Sequence, residues 1–227
     1  MEGRALLSLL SRIAEGEGLH LDFKQRIESA RKIARTLSAF ANTAGGSLLI
    51  GVKDNGRIAG IDPEQEFYMV ELAVQRYLSP PIPFESLVYN CEDKYVLEIQ
   101  VVAHPDKRPV YVLEEGGIRR AYVRVGDKTR LAGRLLERLW LAAQRPQRIL
   151  FRQAEAQLFS YLQNHPFIEA ATFRQLLGPK EGWKAERILI KYTLIGVLRL
   201  EILPDTERFY LADPTSLPPQ VLRQPPR

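Results

Sequence analysis

Residues 37–56, LSAFANTAGGSLLIGVKDNG, constrain the fold more than any other stretch of the chain. The run 28–43 that leads into them carries Ile33, Ala34, Leu37, Phe40 and Ala41 on one stripe, the spacing of a helix with one buried face. Gly45-Gly46 stops that helix, because glycine enters a left-handed cap without a Cβ clash. The strand predicted over 47–53 holds a continuous apolar stretch, so it is covered on both faces and central in a sheet. Asp54-Asn55-Gly56 then turns the chain. A helix, a tight stop and a buried strand in direct succession require a helix packed on a sheet, with a polar loop at each end of the strand.

The remaining pattern extends this to an α+β domain over 1–145, a mixed sheet flanked by helices. Residues 4–14 read as a short amphipathic helix, and 19–24 alternate as a half-buried strand does. Asp62 as N-cap and Pro63 at the first helical position open a helix that runs to about 78 and ends at Ser-Pro-Pro. Strands follow at 84–90 and 94–102. A hairpin at 109–113 and 118–125 is joined by Glu-Glu-Gly-Gly. A helix is expected over 129–144, with Arg130, Arg134 and Arg138 at four-residue spacing. Pro146 marks the boundary. Helices at 147–164, 169–177 and 183–195 and then two short strands follow the order of a winged helix-turn-helix, 147–213. The tail, 214–227, is proline-rich and reads as extended or disordered. There is no internal repeat.

Charge is concentrated. Residues 103–152 carry 12 basic and 5 acidic side chains, while 1–102 carry 11 and 14. A localised basic field suits a polyanion partner, since neutralising phosphates releases counterions; the alternative is a solvated, arginine-rich helix face. One cysteine, Cys91, excludes an internal disulfide and a multi-cysteine zinc site. His20, His104 and His165 are too scattered for a histidine metal motif. No apolar run reaches the length of a membrane helix. The N-terminus does not read as a signal peptide, so a cytoplasmic protein is expected.

Several linked segments resemble the Schlafen-type AlbA-like domain, a nucleic-acid-associated family, over about 15–135. They are Gly16-Glu17-Gly18 with Asp22-Phe23-Lys24, the run from Ser38 to Thr43, Gly45-Gly46, Ile50-Gly51-Val52, Asp54 with Gly56, and Gly60-Ile61. Lys107-Arg108-Pro109 and the run from Tyr122 to Gly126 complete the set. In vertebrate Schlafen proteins three acidic residues form a site for metal-dependent cleavage of structured RNA. The resemblance puts Glu17, Asp22 and Asp54 at those positions, with Asp22 one methylene shorter than the commoner Glu. Carboxylates of this kind suit Mg²⁺ or Mn²⁺, which hold a phosphate and lower the pKa of an attacking water. Without metal, Asp22 is a solvent-facing strand residue and Asp54 a turn former. Some bacterial members are described as ATP-binding, but this chain has no G-x-x-x-x-G-K-[ST], which argues against nucleotide hydrolysis.

Lys24, Arg124 and Lys128 are expected beside the acidic group, either as phosphate contacts or as structural ion pairs to Asp22 or Asp54. Arg119, Arg120 and Arg130 add to the basic block. Asn42, Thr43 and Gly45 lie at a helix C-terminus, whose dipole has the wrong sign for an anion, so a structural role is expected for them. In the C-terminal module Lys184, Arg187 and Lys191 fall at i, i+3 and i+7, one face of a candidate recognition helix. The leading reading is a nucleic-acid-binding, DNA-directed regulatory protein. The alternatives are a Mg²⁺/Mn²⁺-dependent endoribonuclease and a non-catalytic dimerisation scaffold. A homo-oligomer is expected, since vertebrate Schlafen nucleases clamp RNA between two related lobes and this chain has one.

Overall fold

The computed structural model describes residues 2–104, 108–146 and 151–213. The tail at 214–227, Lys107, and the first residues of the helix expected from 147 lie outside the described residues. The chain divides into two compact units, Met1–Gly133 and Arg134–Arg227.

The first unit is α+β with two sheets. Helix α1 (Glu2–Glu15), strand β1 (Leu21–Lys24), helix α2 (Ala30–Asn42) and strand β2 (Gly46–Ile50) come first. Helix α3 (Pro63–Leu72) is capped by the Asp62 carboxylate, which accepts from Glu64 N at 3.1 Å. It runs into a π-helical turn, Ala73–Tyr77, and the short strand β3 (Leu78–Ser79). Strands β4 (Glu85–Cys91), β5 (Lys94–Val101), β6 (Tyr111–Leu113), β7 (Arg119–Val125) and β8 (Lys128–Leu131) complete the unit. The first sheet has the order β1-β2-β5-β4 and is mixed, with β1 parallel to β2 and the other pairs antiparallel. The second, β3-β6-β7-β8, is antiparallel throughout.

Strand β2 is interior, as its apolar run requires. Leu48 and Ile50 face α2, packed with Leu37, Phe40, Leu97 and Ile99. Leu49 points the other way and joins Leu9 and Ile13 of α1. The turn between α2 and β2 is tight on two sides. A Cβ on Gly46 would stand 2.5 Å from the Phe40 ring, and one on Gly45, at φ +75°, 2.8 Å from the Val101 carbonyl oxygen. The glycine pair thus allows close approach as well as ending the helix.

Helix α2 also packs on the second sheet, and its polar residues hold it there. Asn42 Nδ2 donates to the carbonyls of Val110 and Tyr122, each at 2.9 Å, while its Oδ1 accepts from Val110 N at 2.7 Å. Ser38 Oγ donates to the same Val110 carbonyl at 2.7 Å. Thr43 Oγ1 accepts from Arg124 N at 2.9 Å. Ser38 and Asn42 are one helical turn apart on a face that is otherwise apolar, so both meet the same strand pair.

The helix expected over 129–144 begins later. Residues 128–131 instead form β8, paired with β7 through a turn in which Gly126 takes φ +61°. Arg130 therefore lies on a strand, opposite Val123, and does not share a helix face with Arg134 and Arg138. Helix α4 (Arg134–Ala143) belongs to the second unit, and Leu135 joins that unit's core.

The second unit continues with α5 (Gln153–Asn164), α6 (Ala170–Glu181) and α7 (Ala185–Leu194). A hairpin of β9 (Leu198–Ile202) and β10 (Glu207–Leu211) closes it. Regular helix in α6 stops at Leu177, because Gly178 takes φ +71°. Ile168, between α5 and α6, exchanges two 2.9 Å backbone hydrogen bonds with Phe209 of β10. Leu158, Phe159, Phe173, Leu189 and Phe209 fill the core.

Candidate nucleic-acid interface

Leu21 and Phe23 face α1, so alternation turns Asp22 and Lys24 of β1 toward α2 and the second sheet. Arg124 comes to meet them from β7. Its Nη1 donates to Asp22 Oδ1 at 2.9 Å and to Thr129 Oγ1 at 3.2 Å, and its Nη2 donates to the Gly18 carbonyl at 2.7 Å. The guanidinium also lies 5.1 Å from the centroid of the Phe40 ring. The side chains of Arg124 and Asp22 are 1% and 7% exposed. Lys24 Nζ takes the other carboxylate oxygen, Oδ2, at 2.7 Å. Of the two roles open to Arg124, the geometry is that of a structural ion pair, in a guanidinium buried away from any phosphate. Lys24 is paired as well, but its side chain stays 38% exposed at the mouth of a cleft.

Glu17 is fixed by the same turn. Its Oε1 accepts from Phe23 N at 2.7 Å. Burial pushes its carboxyl pKa up, opposed by that N–H, and the negative fields of Asp22 and Asp54 push it further. The three carboxylates are thus neighbours, but they do not converge on one point: among the described residues no group of three or more His, Cys, Asp or Glu is arranged to hold a metal ion. Both Asp22 oxygens already serve cations and one Glu17 oxygen serves the backbone. As placed, these residues do not fit Mg²⁺ or Mn²⁺.

Asp54 lies on the wall of a cleft of about 610 Å³ with Lys24, Arg26, Ser29 and Lys32. The cleft sits where β1 ends and α2 begins. Arg26 and Lys32 carry no motif in the sequence; both are exposed on the cleft wall, where Lys32 pairs with Glu28 at 3.9 Å, so the lining mixes three cations with the carboxylates of Glu28 and Asp54.

The second sheet sorts the remaining basic residues by register. Directly opposed residues of an antiparallel pair share a face. Val123 pairs with Arg130, Val125 with Lys128 and Ala121 with Tyr111, which puts Arg119, Lys128 and Arg130 on one face of the sheet, a face that is covered where Ala121 and Val123 lie buried between them. Arg119 and Lys128 are exposed. The Arg119 guanidinium lies over the Tyr111 ring at 4.6 Å. Arg120 and Arg124 are on the opposite face, toward α2, where Arg120 is exposed and Arg124 buried.

At α7 the three basic residues do not form one open face, and Lys184 lies in the 3-10 turn before the helix. Lys191 Nζ donates to the buried Glu155 at 2.7 Å, and its side chain is 13% exposed. Lys184 pairs with Glu181. Arg187 is exposed and lies 5.1 Å from the ring centroid of Trp183.

These features define a class: a two-unit α+β protein whose first unit clamps a central helix between two sheets and carries cations on one sheet face and around one cleft. The family follows from the sequence match. The chain belongs to the Schlafen, AlbA_2 family, whose model matches residues 17–133, ending where the first unit ends. Among solved structures it is similar to the DIP2311 protein of Corynebacterium diphtheriae, at 20% identity and a TM-score of 0.44, over 91% of this chain and 38% of that one. It is also similar to the N-terminal domain of a RecG-related protein of Nitrosomonas europaea, at 21% identity and a TM-score of 0.41, over 64% of this chain and 94% of that one. The chain therefore spans well under half the length of the first of these. No curated protein matches. Among the described residues no helix is long and apolar enough to cross a membrane.

Proposed function

We propose that this protein binds nucleic acid through its first unit and acts as a DNA-directed regulator, with the second unit a winged helix-turn-helix module. The observation that carries the reading is the pair of exposed cations, Arg119 and Lys128, on the second sheet of the family-matched domain. Such cations contact phosphates without reading sequence, so they supply affinity and register. For the second unit, support comes from the order α5, Ile168 bridge, α6, α7, β9, β10, in which the bridge ties the start of α6 to the hairpin, as in a winged helix. A homodimer would double the basic surface.

The test is fluorescence anisotropy of labelled duplex DNA and structured RNA with the full chain. Arg119→Glu and Lys128→Glu each weaken binding and lower the salt slope by about 1. No affinity for either nucleic acid at low salt overturns the reading. The endoribonuclease alternative rests on the family motif positions of Glu17, Asp22 and Asp54, of which Asp22 and Asp54 raise the Glu17 carboxyl pKa. It requires Asp22 to release Lys24 and Arg124, and Mn²⁺-dependent RNA cleavage that is lost in Asp54→Ala would favour it.

A further inference from the structure

Trp183 is the largest exposed aromatic side chain of the described residues, at 65% exposure, whereas the chain's other tryptophan, Trp140, is 8% exposed. Tryptophan is rarely left this open in a domain that can bury it. The turn that carries it is tightly anchored. Gly182 is buried, and a Cβ there would meet Arg174 Cγ at 2.8 Å and the Arg174 carbonyl oxygen at 3.0 Å. Ala185, two residues after Trp183, is fully buried. Packed residues on both sides hold the indole outward at the start of α7.

Its surroundings are cationic. Arg187 lies 5.1 Å and Lys184 Nζ 5.7 Å from the indole centroid. The nearby carboxylates are engaged: Glu181 by Lys184, and Glu186 by Arg138 and Arg174. Arg187 has no carboxylate within ion-pair distance among the described residues, so its charge is uncompensated. A largely exposed indole with an unpaired guanidinium lying over it matches a planar, anionic ligand that slides onto the ring and takes the guanidinium at its edge.

We propose that Trp183 is the stacking platform for an unpaired nucleobase, with Arg187 taking the adjoining phosphate. Stacking needs an exposed base face, which a continuous duplex hides and a single strand, bulge or opened pair presents. With Lys191 turned to Glu155 and Lys184 to Glu181, α7 contributes one aromatic anchor and one cation instead of a row of base-reading side chains. The inference rests on the nucleic-acid reading above and adds a specific contact in the second unit.

The experiment is tryptophan emission of the full chain, titrated in parallel with single-stranded oligothymidylate, a blunt duplex and polyglutamate. Oligothymidylate quenches the wild-type protein, and the quenching is absent in Trp183→Phe, which locates it at this indole. Trp183→Ala lowers oligothymidylate affinity about tenfold or more, Trp183→Phe less because a stacking face remains, and Arg187→Gln lowers it further at low salt. Trp183 is exposed, so these variants fold. If oligothymidylate binds the variants as tightly as wild type, with no change in Trp183 emission, this inference is wrong while the binding function stands. Equal quenching by polyglutamate overturns it in favour of an acidic protein partner. If nucleic acid fails to bind at all, both readings fall.

Discussion

Arg124 on β7 donates through Nη1 to Asp22 Oδ1 on β1 at 2.9 Å, joining the two sheets of the first unit through a buried ion pair. Lys24 Nζ takes the other oxygen, so one carboxylate serves two cations. Removing one partner of such a pair leaves an uncompensated buried charge. Asp22→Ala strips Arg124 of its carboxylate and should lower unfolding stability by about 3–5 kcal/mol, read from urea denaturation, whereas Arg124→Ala leaves Asp22 paired with Lys24 and should cost less. An acidic site kept for metal would behave oppositely, because removing Asp22 would relieve repulsion from Glu17 and Asp54. A metal-free Asp22→Asn protein more stable than wild type would therefore assign Asp22 to metal binding.

Asn42 ties α2 to the second sheet through Val110 and Tyr122. Asn42→Ala takes this partner from Val110 N and the Tyr122 carbonyl, while Ser38 still donates to the Val110 carbonyl, at about 1–3 kcal/mol for each group left unpaired that water cannot reach. A loss of about 2–3 kcal/mol in the denaturation midpoint analysis is expected, with the fold retained by circular dichroism.

Two glycines should respond to substitution for different reasons. Gly46→Ala drives a Cβ into the Phe40 ring and the His20 carbonyl, at 2.5 and 2.9 Å, and overpacking of this kind costs about 1–3 kcal/mol. Gly116→Ala meets no atom within 4 Å, but φ is +71°, so only the roughly 1 kcal/mol of left-handed strain applies. Thermal unfolding of the two variants should rank them in that order.

Acid should weaken the α1 attachment. Glu98 is fully buried, and Arg12 Nη1 and Tyr89 OH donate to it at 2.8 and 2.7 Å. Burial alone would raise its carboxyl pKa, but hydrogen bonds from Ser47, Tyr89 and Arg12 outweigh burial and hold it below the ordinary value. Burial and the same carboxylate push the Tyr89 hydroxyl up to about 12. Because the folded-state pKa of Glu98 is depressed, its stabilisation is full above the unfolded carboxylate value of about 4.3 and is lost as pH falls through the folded value. Glu98→Gln should lower stability at neutral pH and flatten the acid limb of a stability–pH curve. An unchanged acid limb would remove Glu98 from this role.

Much of the first unit was legible because its signals are local. The stripe of α2, the glycine stop, the unbroken apolar strand and the Asp62-Pro63 helix start each act within a few residues of themselves. Strand β8 was not legible: Lys128 to Leu131 has no apolar alternation, and its pairing is imposed by the Gly126 turn and the neighbouring β7. The site divides in the same way. That Lys24 and Arg124 stand beside Asp22 followed from motif positions, but the burial of Arg124 comes from strand alternation bringing β1 and β7 face to face across the unit. Arg26 and Lys32 had no motif to mark them, and Lys191 was assigned to an open face because its partner, Glu155, is on another helix.

The most direct test of the central claim is the ionic-strength dependence of duplex binding by the full chain. The account predicts measurable affinity at low salt and a linear fall of log K against log salt, with a slope near −0.9 for each phosphate contacted and a shallower slope when Arg119 and Lys128 are reversed in charge. Binding that is absent at low salt, or whose salt slope is unchanged in that double variant, would contradict it.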